Sequence, residues 1–116
     1  MNKFRAVRTF ASGVWFHSKG EAARWSELKL LERAGEITEL DRQVPYELNV
    51  KGERVGTYIA DFVYVETETG FVVEDFKGVR TAEYRIKAKL MKAIYGITIR
   101  ETGRKSRPPK PAKRAA

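Results

Sequence analysis

Two aspartates and a lysine stand at positions where the sequence otherwise favours apolar side chains. Asp61 lies in the run from Thr57 to Val65, and Asp75 and Lys77 lie in the run from Phe71 to Lys77. Both runs are rich in β-branched and aromatic residues, which is typical of strands covered on two faces. An unpaired carboxylate is costly there, so these side chains must form ion pairs, bind a cation or lie at an opening.

Side-chain alternation predicts which residues accompany these charges, because residues two apart in a strand share a face. In one strand the predicted faces are Ile59, Asp61, Val63 and Val65 against Tyr58, Ala60, Phe62 and Tyr64. In the next strand they are Phe71, Val73, Asp75 and Lys77 against Val72, Glu74 and Phe76. Glu74 therefore points away from Asp75, and we expect it to form an ion pair with a basic residue rather than to act in catalysis.

A third acid, Glu21, favours a functional interpretation of the cluster. It shares a helical face with Trp25 and Leu28, and this face should meet the sheet. Glu21 also completes a capping box with Ser18, and the first turn of a docked helix can both cap and present a carboxylate. The alternative is a structural pair between Lys77 and one of the two aspartates.

The composition limits the chemistry that such a cluster can perform. The chain has no cysteine and a single histidine, His17, so a metal ion would be held mainly by carboxylates. Carboxylate oxygens favour hard cations such as Mg²⁺ or Mn²⁺. No apolar run approaches the roughly 20 residues of a membrane span, and we expect a cytoplasmic protein without membrane contact or small-molecule cofactor.

The order of elements predicts the α/β class, with a mixed α+β sheet built as an αβββαβ unit. Hydrophobic period, Gly stops and turn residues set the element bounds. The segment before Ser18 has no clear period and stays unassigned. The predicted elements are a helix near 19–34, strands at Gln43–Val50, Thr57–Val65 and Phe71–Lys77, a helix at Ala82–Tyr95 and a last strand at Ile97–Ile99.

A change of composition after residue 103 predicts one domain, 1–103, followed by a basic, disordered tail, 104–116. The tail carries six of the 23 basic residues and none of the 15 acidic ones, so the other 103 residues have a net charge of +2. Three of the four prolines also lie in the tail. A basic arm of this kind either contacts a polyanion or serves only as a solubilising tail.

The spacing of the charged residues resembles a known nuclease motif. Ile59-Ala60-Asp61, followed after thirteen residues by Asp75-Phe76-Lys77, resembles the bipartite motif of the PD-(D/E)xK nuclease superfamily, whose restriction-endonuclease-like core is an αβββαβ unit. More narrowly, residues 16–21, 58–62 and 73–78 resemble a family of small phage-encoded nucleases that are grouped with Holliday-junction-resolvase-like enzymes. The resemblance covers about residues 14–101, and Ala60 stands where the motif often has proline.

The resemblance implies a role for each residue of the cluster. Asp61 and Asp75 would be the central metal ligands, together with the backbone carbonyl of Phe76. Glu21 would bind a second metal or orient a water bound to the metal. Lys77 would sit beside the attacking water, lowering its pKa or stabilising the charge of the phosphorane. The expected cofactor is Mg²⁺, with Mn²⁺ as a substitute.

The resemblance also implies a function and partners. The expected activity is Mg²⁺-dependent endonucleolytic cleavage of DNA, including branched DNA of the Holliday-junction type in phage recombination or replication, by a homodimer in the cytoplasm of the host cell. The alternatives are a nuclease for linear duplex or single-stranded DNA and a non-catalytic, basic nucleic-acid-binding protein. The residues expected to hold the phosphate backbone are Arg80 and Lys87 near the motif and Arg104, Lys105 and Arg107 in the tail. For Arg80 and Lys87 the alternative is a solvated helix face without a ligand.

Overall fold

The computed structural model describes residues 8–11, 13–77 and 80–103 of the chain. Within these ranges the protein has six strands and two helices. In chain order they are β1 (Thr9–Ala11), β2 (Val14–Phe16), α1 (Lys19–Arg33), β3 (Ile37–Val50), β4 (Glu53–Glu66), β5 (Gly70–Phe76), α2 (Ala82–Tyr95) and β6 (Arg100–Thr102). The predicted tail and the nucleic-acid contacts at Arg104, Lys105 and Arg107 lie outside the described residues.

The sheet has the strand order β3-β4-β5-β6. The first two pairings are antiparallel, and β5 pairs with β6 in parallel because α2 crosses between them. The fold class and the αβββαβ order predicted from the sequence are therefore confirmed. The hairpin β1–β2 precedes this unit, in the segment that the sequence pattern left unassigned.

Both helices begin at the predicted residue, directly after a capping side chain. The Ser18 hydroxyl accepts a hydrogen bond of 3.1 Å from the Glu21 N–H at the start of α1. Thr81 plays the same part for α2, and Gly96 ends that helix in the left-handed conformation at φ 71°. The bounds predicted for α2 are confirmed, and α1 ends one residue earlier than predicted. Neither helix is long and apolar enough to cross a membrane.

The last predicted strand, Ile97–Ile99, is wrong, because pairing with β5 begins only at Arg100. The Ile97 N–H instead bonds to the Met91 carbonyl at the end of α2. Ile97 and Ile99 pack against the core beside this helix. These two apolar side chains therefore fill space below α2, and the segment is not a strand. The two long strands β3 and β4 also begin earlier than predicted, and β5 ends at Phe76.

Two apolar clusters cover the two faces of the sheet, one under each helix. The cluster under α2 consists of Leu48, Tyr58, Ala60, Val63, Val73, Tyr84 and Met91. The cluster under α1 consists of Leu28, Ile37, Phe62, Tyr64 and Val72. Val72 and Val73 are adjacent in β5, so the predicted alternation of that strand holds.

The predicted faces of β4 are wrong, because its alternation changes at Asp61. Tyr58 and Ala60 pack under α2, whereas Phe62 and Tyr64 pack under α1. With regular alternation all four side chains would share one face. Asp61 lies at the crossing point between the two halves of the strand.

The partner strand β3 carries the matching irregularity at Gln43. Gln43 has a left-handed backbone with φ 55°, and the paired residues on either side of it are Arg42↔Phe62 and Val44↔Ala60. Val44 packs under α2, opposite to Arg42. Because both strands change face at the same level, their register is kept across the break.

Candidate active site

Strands β4 and β5 separate at Asp61, and this fork forms the site. Their recorded pairing ends at Phe62↔Glu74, after which β5 continues alongside β6. Asp61 bridges the gap, because its Oδ2 accepts a hydrogen bond of 2.8 Å from the Phe76 N–H. The fork therefore leaves two adjacent aspartates, Asp61 and Asp75, at the point where the ladder opens.

Asp75 is 3% exposed and is held from two directions. The Tyr58 hydroxyl donates a hydrogen bond of 2.6 Å to its Oδ2, and the Lys77 Nζ lies 3.5 Å from its Oδ1. Burial raises the pKa of Asp75 to about 7, and the neighbouring Asp61 carboxylate adds to this rise.

The pKa of Asp61 is also raised by its surroundings. Burial is the main cause of its raised pKa; a hydrogen bond shared with Asp75 opposes the rise, and the charge of Glu21 adds to it. The ionisation of each aspartate therefore affects the pKa of the other. The Gln43 side-chain amide also donates to Asp61 Oδ1 at 3.3 Å.

Glu21 brings a third carboxylate to the fork from the first turn of α1. Its side chain is 3% exposed, and its Oε1 accepts a hydrogen bond of 2.8 Å from the His17 backbone N–H. Its Oε2 is buried and has no hydrogen-bond partner. A buried carboxylate oxygen without a donor is costly, and a bound cation would remove this cost.

Whether these residues fit a metal ion depends on the state of their carboxylate oxygens. Among the described residues, no group of three or more His, Cys, Asp or Glu side chains is already arranged to hold a metal. However, Glu21 presents an unpaired buried oxygen, and Asp61 and Asp75 have pKa values raised by burial. Both features are those of carboxylates that a cation would stabilise, so the donor set suits Mg²⁺ or Mn²⁺.

The contact between α1 and β5 requires a residue without a side chain at position 20. A side chain at Gly20 would overlap the ring of Phe76, and a side chain at Gly103 would overlap the same ring from β6's end. The Phe76 ring is therefore enclosed by backbone on both sides. This close approach brings the first turn of α1, and with it Glu21, to the end of β5.

Lys77 lies at the mouth of the site. Its side chain is 26% exposed, and its Nζ is 4.5 Å from the centre of the Tyr84 ring. The mouth opens into a cavity of about 280 Å³ that also reaches Asp61 and Asp75. The other lining residues come from β4 and from the start of α2: Thr57, Tyr58, Ile59, Thr81, Glu83, Tyr84 and Lys87.

The two described residues predicted to contact phosphates differ in position. Lys87 lines the cavity, where it forms an ion pair of 3.0 Å with Glu83. Arg80 is paired with Glu101 at 3.3 Å and is not among the residues that line the cavity. Lys87 is therefore better placed than Arg80 to meet a ligand in the cavity.

Glu74 lies behind the site, on the α1 side of β5, as alternation predicted. It is fully buried, and Arg24 donates to both of its carboxylate oxygens, at 2.7 and 3.0 Å. Tyr64 and Thr102 donate further hydrogen bonds. The predicted ion pair is confirmed, and its partner is Arg24. These bonds tie α1, β4, β5 and β6 together directly behind Asp75.

Sequence reasoning missed two residues that orient the aspartates, Tyr58 and Gln43. Regular alternation assigned Tyr58 to the face opposite Asp61, and the left-handed residue Gln43 has no glycine to mark it. Their signal lies in the change of face at Asp61, which depends on pairing between strands rather than on local sequence. Of the sequence-predicted residues, Asp61, Asp75 and Lys77 line one cavity, and Glu21 lies close enough to Asp61 to raise its pKa.

Fold and site together define a small α+β protein with an acidic cleft at the fork of a mixed four-stranded sheet. The chain belongs to the family described as Protein of unknown function (DUF1064), whose model matches residues 1–104. No curated protein and no solved structure matches the chain.

Proposed function

We propose that the protein is a Mg²⁺-dependent endonuclease that hydrolyses phosphodiester bonds in DNA. One observation carries the proposal: Asp61, Asp75 and Lys77 line one cavity, and Glu21, which has a buried oxygen without a partner, lies close enough to Asp61 to raise its pKa. A protein that only binds polyanions gains nothing from such a cluster, because the carboxylates repel phosphate unless a cation intervenes.

Asp61, Asp75 and Glu21 would hold the metal, with the Phe76 carbonyl as a backbone ligand. A bound Mg²⁺ supplies positive charge next to the phosphate and the leaving oxygen, and makes a nearby water more acidic. One oxygen of each carboxylate accepts a hydrogen bond: from Tyr58 in Asp75, from Phe76 in Asp61 and from His17 in Glu21. Of the second oxygens, Glu21 Oε2 has no partner, whereas Asp75 Oδ1 lies near Lys77 and Asp61 Oδ1 accepts from Gln43. These bonds fix the orientation of the three carboxylates.

Lys77 supplies the positive charge that stabilises the phosphorane. Its ammonium group is near Asp75, and the partly exposed side chain reaches the cavity in which a phosphate would lie. The Tyr84 ring supports the ammonium group from one side. Lys77 is therefore able to contact a substrate oxygen while it stays next to the carboxylates.

Basic residues would hold the rest of the DNA. The chain has a net charge of +8, and Lys87 lies on the wall of the cavity. Arg80 and the tail residues Arg104, Lys105 and Arg107 are further proposed contacts. Branched DNA is the proposed substrate and a homodimer the proposed assembly, because a junction needs two coordinated cuts. Such an enzyme would work in the cytoplasm, where phage DNA recombines or replicates.

The test compares cleavage of a four-way junction and a linear duplex in Mg²⁺ by the wild type, Asp75→Ala and Lys77→Ala. Loss of the aspartate should abolish cleavage, and loss of the lysine should lower the rate by about 10²-fold or more. Glu68→Ala, an exposed acid in the turn at the far end of β4, is the matched control and should keep full activity.

Two results would contradict the proposal. Wild-type cleavage that survives both substitutions would remove Asp75 and Lys77 from the site. Tight, salt-sensitive DNA binding without cleavage of any substrate would identify a binding protein instead. Faster cleavage of the linear duplex than of the junction would refute only the branched substrate.

A further inference from the structure

The first twenty residues carry only basic charges and are rich in aromatic side chains. Residues 1–20 contain four basic residues and no acidic one, and the first acid is Glu21 itself. The same segment contains Phe4, Phe10, Trp15 and Phe16. Interleaved basic and aromatic residues are the pattern of segments that bind single-stranded nucleic acid through phosphates and base stacking.

The hairpin β1–β2 sorts its aromatic side chains onto two faces. Phe16 is 1% exposed and packs near Trp25 of α1, which anchors the hairpin to the protein. Phe10 and Trp15 form a cross-strand pair on the outer face, with ring centres 5.1 Å apart. They are 57% and 54% exposed, so most of this large aromatic surface faces solvent.

Two arginines contact the hairpin, Arg8 beside its exposed rings and Arg42 beneath it. The Arg8 guanidinium lies 4.9 Å from the centre of the Trp15 ring. Below the hairpin, Arg42 lies 4.5 Å from the Phe16 ring and donates to the Trp15 carbonyl, while its buried Nε has no partner. Neither arginine forms an ion pair with any acid in the described part of the chain. The exposed Arg8 is therefore available to an anion, whereas Arg42 supports the hairpin from its inner side.

The position of the hairpin connects it to the fork. Only His17 and Ser18 separate the end of β2 from α1, and the His17 backbone bonds to Glu21. A DNA strand that leaves the carboxylates on this side would therefore run onto the hairpin. This step rests on the proposed function.

We infer that the outer face of the hairpin, formed by Arg8, Phe10 and Trp15 with Arg42 beneath it, binds an unpaired stretch of a DNA strand. Exposed rings stack with unpaired bases, whereas the bases of a duplex are already stacked on one another. Arg8 neutralises phosphates of the same strand, and Arg42 holds the hairpin in place from beneath. A second copy of the chain fits less well, because it would place like charges opposite each other.

Tryptophan fluorescence gives a direct test, since Trp15 and Trp25 are the only tryptophans in the chain. Trp25→Phe leaves Trp15 as the sole reporter, and Trp15→Phe leaves the partly buried Trp25. Both variants are titrated in EDTA with an oligothymidylate of roughly twelve nucleotides and with a duplex of equal length. The oligothymidylate should quench Trp15 strongly and Trp25 little, and the duplex should quench neither to a comparable degree.

Affinity measurements then separate stacking from charge. Trp15→Ala should weaken oligothymidylate binding at least about fivefold, and Trp15→Phe should restore most of the loss. Leu30→Ala, which truncates an equally exposed apolar residue on α1, should bind like the wild type. Circular dichroism checks that each variant is folded, and a misfolded Trp15→Ala leaves the fluorescence result as the deciding measurement.

Several outcomes would overturn the inference. These are equal quenching by duplex and single strand, unchanged affinity in a folded Trp15→Ala variant, and self-association in sedimentation that Trp15→Ala abolishes without any effect on DNA binding. Because binding is measured in EDTA, it is independent of cleavage. Single-strand binding by the hairpin in a protein without nuclease activity would refute the proposed function alone. Nuclease activity in a protein whose hairpin does not bind single strands would refute only the role of the hairpin.

Discussion

Replacing Asp75 by asparagine should stabilise the metal-free protein at neutral and alkaline pH. The folded-state pKa of Asp75 is about 7, against an ordinary value of 3.8. Because the folded value is the higher one, the native state binds more protons than the unfolded state between these pH values. The free energy of unfolding therefore falls as the pH rises from about 4 to about 7.

The size of the effect follows from the difference between the two pKa values. Each pKa unit corresponds to about 1.4 kcal/mol, so ionisation of this carboxyl costs the fold about 4 kcal/mol at pH 8 and about 2 kcal/mol at pH 5. The raised pKa already includes the favourable effects of Tyr58 and Lys77, so this cost is a net value. The asparagine side chain keeps an acceptor for the Tyr58 hydroxyl and carries no charge.

The assay is urea unfolding of the wild type and Asp75→Asn in EDTA at pH 5 and pH 8. The variant should be more stable at both values, with a larger advantage at pH 8. Asp41→Asn, which changes an exposed aspartate of β3, is the control and should shift stability by less than about 0.5 kcal/mol. Addition of Mg²⁺ at pH 8 should stabilise the wild type more than the variant. A variant that is equally or less stable than the wild type at pH 8 would refute the reasoning.

Three further substitutions test the surroundings of the fork. Glu74→Ala leaves Arg24 without its buried partner and should lower the free energy of unfolding by about 3–5 kcal/mol in urea. The control is loss of the exposed Glu27, the other partner of Arg24, which should cost less than about 1 kcal/mol in the same experiment. Gly20→Ala should destabilise by about 1–3 kcal/mol through overlap with Phe76; a rise in the thermal midpoint, as helix propensity alone predicts, would contradict the close packing. Tyr58→Phe removes a hydrogen bond to a carboxylate and should raise the pKa of Asp75 further, measured by carbon NMR of the carboxyl group; an unchanged pKa would show that this bond does not hold the ionised form.

Local signals in the sequence were sufficient for the helices and for the order of elements. The helical period and the glycine stop predicted α2 as Ala82–Tyr95, and the structure confirms these bounds. The alternation of β5 was equally reliable, because it placed Asp75 and Glu74 on opposite faces and predicted the ion pair of Glu74. These features depend on residues within a few positions of one another.

The features that could not be predicted depend on contacts between distant segments. The change of face at Asp61 is matched by a left-handed backbone at Gln43. Glutamine rarely adopts this conformation, so the sequence does not predict it. The Ile97–Ile99 segment is apolar because it packs below α2, which a strand pattern cannot distinguish from sheet pairing. The metal, the catalytic roles of Glu21 and Lys77, and the DNA substrate stay predictions.

The fork between β4 and β5 also leaves one edge of β4 without a partner strand among the described residues. From Glu53 to Ala60 this strand pairs only with β3, and Thr57 and Ile59 border the cavity. Unpaired edges are templates for strand addition between copies of a protein, so the opening that assembles the carboxylates also creates an aggregation hazard. The charges of Glu53 and Arg54 at the outer end protect this edge, and replacing them with apolar residues would lower solubility before it affected the fork.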